Sequence, residues 1–364
     1  KALEIHDLLG IDPFGSRSIE ASFAILEKGT EITYPVPYYR WILKKGRDIG
    51  RFMSLSRVKE ITTVDVMDAY PDPSTGGINT PWILVPEGTK PALVKGKVMN
   101  PYDVRHGVVN DLNSVFFVQI LKEQDGKLLV KNHEVGKKKV PSKKMHIERD
   151  LIYPVIKPRH VKKWEIKGHY YMVIPHKKHG INNELELKEN FPATLQYLNF
   201  FKKHLENRAS RWFKGGNKPF YSLFGIGPYA FKPCKVVWSS IGYAHSFAVA
   251  PPVKDDFIGT KVIIPDNTIG YIPLDTLEEA HYICGILNSG LIEKHFASIS
   301  TKSKWGISIN MVKRLPIPKF EKNNEMHIKI SNFSRKAHDL KKDGNDVTNL
   351  EEILDEIVPK VIFL

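Results

Sequence analysis

The stretch "SVFFVQILKEQDGKLLVKN", residues 114–132, decides the class of fold. Two apolar runs, 114–121 and 126–132, flank a polar connector whose Asp125-Gly126 tolerates the left-handed backbone of a tight turn. The stretch therefore reads as a β-hairpin, whereas parallel strands would need a long crossover between such runs. Working outward, "YYMVIPH" (170–176), "KVVWSSI" (235–241), "SFAVAP" (246–251) and "KVIIPDN" (261–267) are further strand candidates. Helical periodicity marks "ATLQYLNFFKKHLENRASRWF" (193–213), where Lys202, Lys203, Arg208 and Arg211 cluster late, as the helix dipole favours. "DTLEEAHYICGILNSG" (275–290) reads as a helix with Asp275 at its start and Glu278 answering as in a capping box. "LIEKHFASIS" follows as a short helix, and residues 325–364 read as two more. The expected class is α+β, with mixed and antiparallel sheets and helices instead of regular βαβ alternation.

The amino-terminal part has a different texture. "ASFAILEKG" (21–29) reads as a buried strand. From Pro35 to about Lys97 the chain is rich in turn dipeptides, as in "DAYPDPSTGGINTPW", and reads as a linker or loosely built subdomain. Three regions are expected: 1–97, a strand-bearing segment with this irregular linker; 98–320, a two-lobed domain; and 321–364, a helical tail. The chain opens on Lys1-Ala2-Leu3-Glu4 with no signal-peptide pattern, which suggests a piece of something longer.

Charge points to the partner. The 364 residues carry 54 Lys+Arg against 40 Asp+Glu, a formal +14. With ordinary hydrophobic (42%) and charged (26%) fractions, that surplus favours a polyanion, with nucleic acid ahead of anionic membrane. No apolar run approaches a membrane span. Two cysteines, Cys234 and Cys284, far apart, exclude a disulfide scaffold and fit a reducing cytoplasm.

Catalytic patterns are weak. "DPFGS" (12–16) is similar to a methyltransferase cofactor loop, but Arg17 stands where a small residue is needed. "NPY" (100–102) lacks the second proline of the Asn-Pro-Pro-aromatic motif and reads as a turn. His176 and His179 have metal-type spacing without an acidic or cysteine partner nearby. Glu186-Leu187-Lys188 supplies half of a metal-dependent nuclease pattern and no matching Pro-Asp upstream. No catalytic, cofactor-binding or metal-ligating residue is expected on these grounds.

What recurs is cations interleaved with aromatics. Lys137, Lys138 and Lys139 with Lys143 and Lys144 form one cluster; Lys157, Arg159, Lys162, Lys163 and Trp164 a second. Arg211, Trp212 and Lys214 form a third, and Lys302, Lys304 and Trp305 a fourth, on a Ser/Gly loop closed by "LPIP". Lysine and arginine neutralise phosphates, arginine forks onto guanine, and tryptophan stacks. The bland reading is that each tryptophan fills a core and each lysine solvates a surface. For Trp305 both readings stand.

At this point a family resemblance enters. "HYICGILNSGLIEKHFASIS" (281–300), a Ser/Gly loop and "INMVKRLPIPKF" (309–320) resemble the closing segment of the TaqI-like C-terminal specificity domain of adenine-specific DNA methyltransferases. "RHGVVNDLNSVFFVQIL", "ERDLIYPVIKPRHVKKWEI", "NFPATLQYLNFFKKHLENR", "PFYSLFGIGPYAFKPCKVVWSSIG" and "VIIPDNTIGYIPLD" are similar to its earlier elements, in order. "ASFAILEKG" and "YPVPYYRW" look like the exit of the methyltransferase domain. The resemblance covers about residues 100–320 and implies a target-recognition module of a restriction–modification or phage-defence methyltransferase. Its implied partners are double-stranded DNA and a catalytic domain, on the same parent chain or another. S-adenosylmethionine is implied for that catalytic domain and no cofactor for this segment. The implied DNA contacts are Arg105, Arg159 and the 300–306 loop for bases and the lysine clusters for phosphates. The alternatives are a Mg-dependent nuclease with an unrecognised site and a non-specific RNA or single-strand binder.

Overall fold

The computed structural model describes residues 1–13, 21–50, 53–72, 82–88, 100–133, 140–178, 180–213, 218–242, 244–299 and 306–363. The chain divides into two compact units, Lys1–Val98 with Lys294–Thr301, and Met99–Glu293 with Lys302–Leu364. The architecture is α+β, as the hairpin reading expected.

The first unit is built on one sheet, β1 (Ala2–Gly10), β2 (Ser22–Leu26), β3 (Val36–Leu43), β4 (Thr62–Pro71) and β5 (Trp82–Pro86), in the order β2-β1-β3-β4-β5. Strands β1 and β3 run parallel; the other neighbours are antiparallel. Ala2, Val36 and Ala69 form its small buried core, with Ile5, Tyr38, Trp82 and Leu84 packed around them. Two expectations are corrected here. The "ASFAILEKG" strand is not buried: β2 is an edge strand exposed along its length, with Phe23 48% and Leu26 70% exposed. The stretch read as a linker or loosely built subdomain carries three strands, β3, β4 and β5. Their residues are mostly half-exposed, so "VPYYRWIL" shows no clean period-two pattern to betray a strand.

The second unit contains β6 (Arg105–His106), β7 (Phe117–Gln124), β8 (Lys127–Asn132), β9 (Lys144–Ile147), β10 (Ile152–Ile156) and a small hairpin, β11 (Val161–Lys162) with β12 (Glu165–Ile166). It continues with β13 (Tyr170–Val173), β14 (Cys234–Ser239), β15 (Phe247–Ala250) and a second hairpin, β16 (Val253–Asp255) with β17 (Gly259–Lys261). It closes with β18 (Ile264–Pro265) and β19 (Ile269–Leu274). Two sheets result, ordered β18-β10-β13-β7-β8-β9 and β15-β14-β19-β6. The β7–β8 hairpin turns where the sequence places it, with Asp125 and Gly126 at φ +51° and +71°.

The 193–213 helix is shorter and interrupted. One helix runs Pro192–Phe200, a second Lys202–Glu206, and a 3-10 turn Arg211–Phe213 follows. The first is fastened by Glu148, whose carboxylate accepts from the Ala193 and Thr194 N–H groups and from Thr194 Oγ1 at 2.6–3.0 Å, supplying the N-terminal partners a helix needs. The interruption coincides with Arg208, read from the sequence as one of the cations late in the helix and found 1% exposed. Its Nε donates to Leu205 O, Nη1 to Asn110 O and Ser222 O, and Nη2 to Phe220 O, at 2.7–3.0 Å. One guanidinium thus ties the end of a helix to two loops. The 275–290 helix begins one residue later than expected: Thr276 Oγ1 accepts from Glu279 N, and Asp275 binds Lys232 Nζ instead. Helices Glu325–Lys342 and Thr348–Ile362 match the expected pair and belong to the second unit.

Candidate nucleic-acid interface

Three backbone segments of the second unit converge to make a groove of about 490 Å³. The first is β6 and the residues after it. Arg105 and His106 pair with Tyr271 and Gly270 of β19, Gly107 N donates to Ile269 O, and Val108 N to Pro265 O. The second is the loop 219–231, joined to the first by paired hydrogen bonds between Val109 and Phe224. The third is the short helix Ile309–Lys313. Two glycines allow the approach. A Cβ on Gly107 would lie 2.2 Å from Pro265 O, and Gly225, at φ +68°, sits against Gly107 O.

Two cations, Arg105 and Lys313, and two rings, Phe224 and Tyr229, line the groove together with His106, Asn267 and the apolar Val104, Val109 and Ile309. The guanidinium carbon of Arg105 lies over Tyr229, 3.7 Å from the ring centre, and its Nε donates to Asp103 Oδ2 at 2.5 Å. Stacking and the Asp103 bond set the plane of the fork, and among the described residues no acceptor engages its two Nη groups. His106 is held neutral near pH 7, because burial lowers its pKa and Lys313 lowers it further. Trp212, in the 3-10 turn, stacks on Phe224 at 4.3 Å with rings 21° apart.

The other expected residues are distributed as follows. Lys157 is held 3.6 Å from Asp266, next to the groove's Asn267, and lies over Phe117. Arg159 stacks 4.5 Å over Tyr170 and donates to His160 Nε2. Lys162 is exposed on β11, whereas Lys163 is paired with Glu351 at 2.9 Å. Trp164, grouped with them by sequence, is a core anchor: it is buried and its Nε1 donates to Glu351 Oε1 at 2.6 Å. Lys143 lies over Phe200, Lys144 is exposed at the start of β9, and Arg211 is exposed beside Trp212. Lys137, Lys138, Lys139, Lys214, Lys302, Lys304 and Trp305 lie outside the described residues. Of the expected residues, then, the groove itself takes Arg105. Lys313, His106, Asn267 and Tyr229 were missed, since only folding brings positions so distant in sequence together.

The weaker patterns resolve structurally. Phe14, Gly15 and Ser16 of "DPFGS" lie outside the described residues; the strands on either side, β1 and β2, pair antiparallel. Of the His176–His179 pair, His179 lies outside the described residues and His176 is buried. Its Nδ1 meets Lys178 O, and its Nε2 accepts from Leu223 N. Glu186 lines a separate cleft of about 670 Å³ together with Asp150, Lys177 and Lys261, while Lys188 pairs outside with Glu184. Among the described residues no group of three His, Cys, Asp or Glu could hold a metal ion, and no helix is long and apolar enough to cross a membrane.

With this geometry in hand, comparison with known proteins is informative. No protein-family model matches the chain. The chain is 27% identical over 154 residues to the type II methyltransferase M.NspV of Nostoc sp., across 42% of this chain and 30% of that protein. It is 21% identical over 217 residues to the type II methyltransferase M.MjaIV of Methanocaldococcus jannaschii, across 59% of this chain and 70% of the relative. The chain is homologous to type II methyltransferases. Its fold is shared with the type IIL restriction–modification enzyme MmeI, solved in complex with DNA, at a TM-score of 0.54 and 9% identity. That likeness covers 99% of this chain and 43% of MmeI. The chain thus spans less than a third of M.NspV and under half of MmeI.

Proposed function

We propose that this chain is the sequence-specific, duplex-DNA target-recognition part of a restriction–modification DNA methyltransferase, adenine-specific and of the TaqI-like type. The observation that carries the reading is the Arg105 fork, pre-set on Tyr229 in a cationic groove of a chain homologous to type II methyltransferases. A planar fork with two open N–H edges matches O6 and N7 of guanine in the major groove. Lys313 and the exposed Lys144, Lys162 and Arg211 supply phosphate contacts, which position the protein without reading sequence. The methyl transfer itself, with S-adenosylmethionine, is assigned to a catalytic domain on the parent chain or a partner.

The test is retention of duplex by the whole chain, with affinity falling steeply as salt rises. No retention in dilute buffer would sink the reading. Within a site selected from random duplexes, Arg105→Ala is expected to cost about 1–3 kcal/mol at one base pair only. A uniform loss across all duplexes would make Arg105 a phosphate contact instead.

A further inference from the structure

We infer that the Trp212–Phe224 ring pair is a stacking platform for a nucleobase that has left its base pair. This rests on the DNA-recognition reading above and adds a ligand class that the groove's cations do not specify.

Trp212 is 54% exposed, unusual for so large an apolar ring, yet it is not loosely held. One indole face lies on Phe224 at 4.3 Å, and Phe224 is itself bonded through its backbone to Val109 and lines the Arg105 groove. The turn that carries Trp212 is anchored at both ends. Ser210 N donates to Asp111 Oδ2 at 2.9 Å, and the Phe213 ring lies 3.7 Å from the buried Arg208 guanidinium. Lys218 Nζ donates to Trp212 O. The result is an anchored aromatic surface, more than half of the indole exposed, beside exposed Arg211 and next to Phe224 of the groove that holds Arg105 and Lys313.

The surroundings select the ligand. A flat aromatic partner stacks on indole, and cations on either side favour one that carries phosphate, which together describe a nucleotide. Inside an intact duplex both faces of every base are already covered by its neighbours. Only a base that has come out of the stack has a face to give Trp212, and the duplex must be opened at that point.

The experiment compares a mixed-sequence duplex with the same duplex carrying one unpaired thymine. Binding of the wild-type chain to the fully paired duplex tests the DNA-recognition reading by itself. Given that binding, the wild type is expected to prefer the duplex with the unpaired base on the order of tenfold, the usual range for one base–aromatic stack. Trp212→Leu is expected to bind the two duplexes equally, and Trp212→Phe to keep most of the preference. A Trp212→Leu variant that keeps the preference, or a wild type that has none, overturns the platform and leaves the DNA-recognition reading standing. Should Trp212→Leu fail to fold, 5-iodouracil at the unpaired position is photocrosslinked to the wild-type chain. An adduct on Trp212 supports the inference, and an adduct elsewhere or none refutes it.

Discussion

Replacing Arg208 by methionine is expected to remove about 3–5 kcal/mol of stability, although methionine keeps an unbranched apolar stem. The guanidinium supplies four hydrogen bonds to carbonyls of Leu205, Asn110, Ser222 and Phe220. Methionine fills part of the space and offers no donor, so the carbonyls of Asn110, Ser222 and Phe220 lose this partner, at about 1–3 kcal/mol each before relaxation, while Leu205 O keeps the N–H of Asn207. Burial lowers the pKa of Arg208 to about 10, opposed by Asp111, which leaves it charged at neutral pH. Arg208→Lys rescues little, because an ammonium is a compact point donor and cannot span a helix end and two loops. Urea unfolding followed by near-UV circular dichroism measures the loss. A change below about 1 kcal/mol would show that the carbonyls find other donors. Because Arg208 holds the 219–224 loop, the same substitution should also weaken duplex binding.

Gly107→Ala is the second large effect, expected at about 3 kcal/mol or more. The added methyl would stand 2.2 Å from Pro265 O, 2.3 Å from Asp266 O and 2.5 Å from Pro265 C. All three are backbone atoms that no rotamer change can move. The segment must therefore part from its neighbours, at the expense of the Gly107–Ile269 and Val108–Pro265 hydrogen bonds. These bonds form the floor of the Arg105 groove, so stability and duplex affinity should fall together. Arg105→Ala separates the two properties: a half-exposed side chain leaves the melting temperature in place while binding changes at one base pair. If Gly107→Ala unfolds at the wild-type urea midpoint, the close approach of these segments is not what holds the groove.

The contrast between fold and site shows what is readable in a sequence. The β7–β8 hairpin was legible because turn chemistry and apolar runs are both local, down to the left-handed pair Asp125-Gly126. The strands β3 and β4 were not, because a sheet exposed on much of its surface need not alternate apolar with polar. The groove was half legible. Arg105 was reached only through the family resemblance, and its partners Tyr229 and Lys313 lie far along the chain and meet it only through the β6–β19 pairing and the 219–231 loop. Net charge was a coarser guide than it looked. Arg208 is spent on internal carbonyls, Lys235 is fully buried with its pKa pushed down to about 7, and Lys261 donates to three carbonyls with its pKa lowered to about 8. Part of the +14 therefore never faces a phosphate.

The open rim of the first sheet has a practical side. Strand β2 offers Phe23, Ile25 and Leu26 to water at the end of a ribbon of hydrogen-bonding groups, the arrangement that seeds chain-to-chain zippering. Concentrated preparations should cloud and gel from this rim at temperatures where circular dichroism still reports a native spectrum. Light scattering, read before any melting curve, will set the working range for every titration.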